Sequence, residues 1–232
     1  MSGQTTTGDV ARVITAWGRI ETQMRVHAPA SAALLRPPAS AAEIAAAEIA
    51  IGRAPALKTL YQLHDGAFGS HSDDFENDHE ATPPVAAKEW MAAGFLPGNQ
   101  VWYRLNEMRA QYLHQTLDLG RDPGCLPISN APGDSWFGRF VGVEEGEPTY
   151  GNLGKWAVDD SNSMIPYMTD GWPLPDYLEE TAAAVEQGRC LTQPYGCGAD
   201  TDEHPCLMEG GLGWFNPDEA AGGGWQPVPR AR

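Results

Sequence analysis

The sequence predicts an α+β fold. Apolar residues recur at helical spacing through most of the chain up to Gly120, and short apolar runs broken by Gly and Pro follow from Pro123. A last helical pattern closes the domain before Arg189, and helices followed by a block of strands is the α+β signature. A length of 232 residues suits one domain with an appended piece. A hydrophobic content of 42% and eight tryptophans place the chain among folded globules rather than acidic disordered chains.

Residues 1–9 read as a disordered N-terminus. From Val10 to Met24 a helix is expected, with Val10, Val13, Ile14, Trp17, Ile20 and Met24 on one face, Asp9 as its cap, and His27 and Pro29 at its end. Trp17 is its core anchor. Ser40 and Glu43 form a capping box for an Ala-rich helix that runs to Gly52, which can take the left-handed conformation after a helix end. Glu48 shares the face of Ile44, Ala47 and Ile51 and is placed at the rim of the core. After Pro55 a short helix carries Leu57, Leu60, Tyr61 and His64, and Asp65-Gly66 ends it, Gly66 supplying a positive φ.

Residues 67–87 have no usable periodicity and read as an acidic insertion. A short helix is expected up to Gly94, and helical spacing resumes from Gln100 through Leu105, Met108 and Tyr112. Three strands are then expected: Cys125 to Ser129, Trp136 to Val143, and one closing near Val158. Pro175 to Gln187 is the closing helix, with Tyr177, Leu178, Thr181 and Val185 inward. Residues 190–232 form a Gly-, Pro- and Cys-rich extension whose Trp214, Phe215 and Trp225 suggest that it packs on something.

The net charge is −16 and is unevenly placed. Residues 64–80 hold six acids and no Lys or Arg; between Arg139 and Arg189 ten acids face Lys155; from Cys190 to Pro229 six acids face no base. Such a field repels nucleic-acid phosphate and anionic lipid; it suits a basic protein partner, and equally a high-salt setting or plain solubility, so charge alone does not decide. No apolar run approaches the ~18 residues that cross a bilayer. The start "MSGQTTTGD" has neither a basic region nor an apolar stretch, so no secretory signal is read and the expected address is the cytoplasm.

Several residues in order resemble the SUKH superfamily, which includes many bacterial immunity proteins and shares its domain with a yeast cell-wall synthesis regulator. They are Trp17; the run Leu35, Pro37, Pro38, Ser40, Glu43, Ile44, Glu48 and Gly52; the run Leu60, Tyr61, His64, Asp65 and Gly66; and Leu126, Pro127 and Ile128 followed by Gly133 and Asp134. The resemblance spans residues 10–189. It departs where the family carries an acidic residue beyond its Gly-Asp pair, since Phe137 and Gly138 stand there. The resemblance implies a curved, mostly antiparallel sheet with helices packed on one side. It also implies no catalysis and no cofactor, with binding to a cognate toxin as the activity.

Asp73, Asp74, Glu76 and Asp78 in the insertion, and Glu144, Glu145 and Glu147 on a strand-linking turn, are the candidate contacts for a basic toxin domain. Trp136, Phe137 and Trp102 are candidate apolar anchors, with core packing the stronger reading for each taken singly. The insertion lacks the D-x-D-x-D-G spacing of a calcium loop, and the chain has no Walker loop, G-x-S-x-G, H-E-x-x-H or Rossmann fingerprint. Two other readings stay open. One is a regulator or scaffold of cell-wall synthesis; the other is a metal protein or enzyme using His71, His79, Cys197, His204 and Cys206, with Cys190 nearby.

Overall fold

The computed structural model describes residues 7–52, 54–68, 92–115, 124–131, 134–147, 149–158, 164–168, 172–192 and 202–229. Four helices come first: α1 (Thr7–His27), α2 (Pro29–Leu34), α3 (Ala41–Ile51) and α4 (Pro55–Leu63). Then follow β1 (Val101–Trp102), α5 (Leu105–Leu113), β2 (Cys125–Ala131), β3 (Asp134–Gly142), β4 (Leu153–Val158), β5 (Met164–Met168) and α6 (Leu174–Gln187). The C-terminal segment adds β6 (His204–Met208), β7 (Gly211–Phe215), α7 (Pro217–Gly223) and β8 (Gln226–Pro227). The fold is α+β, with an open five-stranded sheet in the order β1-β2-β3-β4-β5 and a three-stranded sheet in the order β7-β6-β8. Every neighbouring pair is antiparallel. No helix among the described residues is long and apolar enough to cross a membrane.

α1 begins at Thr7, so Thr7, Gly8 and Asp9 are helical rather than disordered. Asp9 therefore sits inside the first turn, where its charge complements the helix dipole, instead of capping. The buried stripe is Val13, Ala16, Trp17, Ile20 and Met24. Ile14, expected on that face, is 46% exposed. One residue turns the helix by about 100°, and a stripe centred on Val13, Trp17 and Ile20 leaves Ile14 on the outer flank.

The capping box at α3 is present: Glu43 N donates to Ser40 Oγ at 3.2 Å and Ser40 N donates to Glu43 Oε2 at 2.7 Å. Gly52 keeps right-handed dihedrals (φ −60°, ψ −24°), a correction to the expected left-handed end. Its amide continues the helical pattern to Glu48 O, and Ala54, before Pro55, has left helical dihedrals (φ −131°, ψ 73°). Glu48 lies exposed at the edge of its helix face, and Lys58 Nζ holds its carboxylate at 2.7 Å.

Gln100 to Tyr103 is not helical. Val101, Trp102 and Tyr103 are β-formers buried in succession, which no single helical stripe allows. β1 pairs with β2, Trp102 opposite Ser129, and α5 starts after Arg104. β2 is buried along both faces from Cys125 to Asn130. β3 continues two residues earlier than Trp136, and β4 and β5 complete the meander where one further strand was expected. α6 buries Tyr177, Leu178, Thr181 and Val185. Arg139 is also buried, its Nη2 donating to Pro97 O at 3.4 Å and its guanidinium lying 5.9 Å from the centre of the Tyr177 ring.

The segment after Arg189 is part of the packed body. Leu212, Trp214 and Val228 join the main core. Trp214 Nε1 donates to Phe95 O at 2.9 Å, and Asn99 brackets the Trp214 backbone, donating to its O at 2.6 Å and accepting from its N at 2.7 Å. Buried Ser31 accepts from Leu212 N at 2.9 Å and donates to Ala92 O at 2.6 Å. Glu209 (φ 50°) and Gly210 (φ 83°) form the tight turn between β6 and β7, whose mirror-type backbone suits a two-residue hairpin.

Candidate partner-binding surface

The signature residues serve the architecture. Trp17 packs edge-on against Trp102 with centroids 5.0 Å apart, and Tyr61 lies 5.4 Å from the same ring. Burial pushes the Tyr61 phenol well above its ordinary range. His64 ends α4 in an extended conformation; its Nδ1 lies 2.7 Å from Arg36 O and its Nε2 lies 3.3 Å from Glu21 Oε1. Burial opposes the charge on Glu21, but hydrogen bonds from Arg25 and His64 outweigh it and hold that carboxyl below its usual range. Asp65 Oδ1 accepts from Leu105 N at 2.8 Å and so caps the first turn of α5. Burial pushes the Asp65 carboxyl up, against that hydrogen bond and the nearby Arg36. His64 and Asp65 are thus tied to different elements and form no dyad. Gly66 has φ +67°, and a Cβ there would lie 2.3 Å from Tyr103 O.

Gly133 lies outside the described residues, and Asp134 opens β3. Asp73, Asp74, Glu76, Asp78, His71, His79 and Cys197 also lie outside them. Of the apolar anchors, Trp102 is buried at 3% exposure and belongs to the core, the competing role expected for it. Phe137 is 43% exposed on β3, opposite Ala157 of β4.

The electrostatics separate two classes of carboxylate. The acids of α6 are ion-paired from within, two of them through one arginine. Arg12 of α1 donates through Nε and Nη2 to Glu179 at 2.9 and 2.7 Å and also binds Asp176. Arg19 holds Glu186 through the same two-pronged geometry at 2.9 and 2.5 Å. Glu180 takes Arg189 at 2.6 Å and Thr192 N at 2.6 Å. Hydrogen bonds from Arg12 and Arg19 hold the Glu179 and Glu186 carboxyls below their usual range. Arg12 and Arg19 reach these acids from α1, and Arg189 from the residues just after α6.

Glu144, Glu145 and Glu147 belong to the second class. All are exposed on the β3–β4 connection, and none is ion-paired to another described residue. A second acidic surface was not named from the sequence. Asp202, Glu203 and His204 at the start of β6, with Asp218 and Glu219 of α7, line a groove of about 750 Å³. Its signal in the sequence was the run of six acids without a base after Cys190.

Among the described residues no group of three His, Cys, Asp or Glu side chains is placed to hold a metal ion. Cys206 is buried, its Sγ 3.4 Å from His204 O, and burial pushes its thiol up. No family model matches the chain, and no curated protein matches it either.

Proposed function

We propose that this protein is a non-catalytic binding domain that neutralises a basic protein partner, as a cytoplasmic antidote of the SUKH kind neutralises a toxin. Inhibition works by occlusion: exposed carboxylates enter a cationic cleft and exclude its substrate. The observation that carries this reading is the division among the acids. Glu180 and Glu186 each hold an arginine of their own and Asp176 and Glu179 share Arg12, whereas Glu144, Glu145 and Glu147 stand exposed with no ion-pair partner among the described residues. Unmatched exposed charge costs the fold through self-repulsion and gains value when a partner of opposite sign docks. Phe137 supplies an apolar contact on the adjoining strand.

The test is affinity capture from the native cell, followed by assay of the captured enzyme with and without this protein at low and high salt. A basic enzyme captured at one equivalent, inhibited at low salt and released by high salt, supports the reading. Capture of cell-wall enzymes without inhibition favours the regulator instead.

A further inference from the structure

We propose that the cavity where α1, α4 and α6 meet the β3–β4 connection is a socket for a basic side chain, arginine or lysine, presented by the protein partner. This rests on the partner-binding reading and deepens it. The cavity holds about 220 Å³. Sites for drug-sized ligands begin at roughly 300 Å³, so this space fits a single side chain better than a metabolite. Its wall is apolar and buried: Ala56 and Leu57 from the first turn of α4, Val141 from β3 and Leu174 from α6. Its opening is polar, with Asp9 and Arg12 from α1, Asp176 from α6, and Tyr150 and Asn152 from the β3–β4 connection.

Charge selects the guest. The Arg12 guanidinium is already engaged by Glu179 and Asp176, and Asp9 lies 3.6 Å from it. Among the described residues three carboxylates therefore surround one guanidinium, two of them at the opening, and the group is net negative. An anion meets like charge there. A neutral apolar guest removes water from Asp9 and Asp176 and brings no charge in return. An alkyl cation meets both demands, laying its stem on the apolar wall and its head at the carboxylates. Their side chains keep 27% and 43% exposure, so the head reaches them while still partly hydrated.

The experiment is an amide-resolved NMR titration of the full chain with n-butylguanidinium, with n-pentanol as the uncharged control. The expected result is saturable shifts at Leu57, Val141, Asn152 and Leu174 with the cation and none with the alcohol. Ala56→Leu, which fills the space without altering any charge, abolishes them. Asp176→Asn, which removes one charged contact, weakens binding by about tenfold. Absence of saturable shifts, an equal response to pentanol, or unchanged binding in a folded Ala56→Leu variant overturns the socket. The captured partner separates this from the parent reading. If it is inhibited equally by wild type and Ala56→Leu, the socket falls and partner binding stands. If no basic protein is inhibited, the parent reading falls and the socket loses its guest.

Discussion

Arg19 and Glu186 face each other across the α1–α6 boundary as a two-pronged pair, Nε to Oε1 at 2.9 Å and Nη2 to Oε2 at 2.5 Å. With Arg12, Asp176 and Glu179 one turn and more away, they pin the first helix to the helix that follows the five-stranded sheet. The Arg side chains are 39% exposed, so water and salt screen each contact.

Arg19→Ala should therefore lower stability by only about 0.5 kcal/mol at low salt, and less at high salt. Urea melts at two ionic strengths read this directly. Glu179 and Glu186 have folded-state values below their unfolded ones. Their contribution is thus fully present above the ordinary carboxylate range and is lost as the pH falls through the depressed folded values. Wild type should lose this increment on acidification below about pH 4.5. Arg12→Ala with Arg19→Ala should flatten that part of the profile; an unchanged acid limb contradicts the clamp.

Asp65 accepts the Leu105 amide at the start of α5. Asp65→Ala leaves that amide uncapped and should cost about 1 kcal/mol. Asp65→Asn keeps an acceptor and removes a charge that burial disfavours, so it should cost less. Equal losses in thermal melts would speak against a capping role.

Gly66 and Gly146 both have positive φ, +67° and +97°, but only at Gly66 does a side chain collide with the backbone of Tyr103. Gly146→Ala should cost about 1–2 kcal/mol through backbone strain alone. Gly66→Ala should cost more, because a contact of 2.3 Å must also be relieved. The order of the two midpoints in urea checks the argument.

Trp214 lies in the main core although it comes from the Gly-rich final segment. Trp214→Ala should cost about 3–5 kcal/mol, as for large core aromatics, and should broaden or abolish the cooperative melt of the whole chain. A loss confined to a separate, low-temperature transition would mean that the segment folds apart from the body.

Local rules made the helices legible. The Ser40–Glu43 box, the positive φ of Gly66 and the inward face of α6 follow from spacing and cap chemistry alone. What failed depends on tertiary partners. Ile14 was assigned to the wrong flank because Ala16, a weak signal, completes the buried stripe. β1 was hidden because Val101 and Trp102 run straight into a helical pattern, and only pairing with Asn130 and Ser129 makes them a strand. The C-terminal sheet was obscured by glycines that read as flexibility, whereas Gly213 is small because the Phe215 and Trp225 rings occupy the space of its side chain. The acidic count was visible, but the matching of α6 acids with Arg12 and Arg19 needed the helices placed side by side.

Under the proposed function, Glu144, Glu145 and Glu147, which have no ion-pair partner among the described residues, steer a cationic partner onto this protein. The most direct measurement is the association rate of the captured partner with wild type and with the triple reversal Glu144→Lys, Glu145→Lys, Glu147→Lys, across ionic strength. Wild type should associate at least about tenfold faster at low salt, the difference should shrink as salt rises, and dissociation should change less. Identical rates for the two proteins at every ionic strength would contradict it.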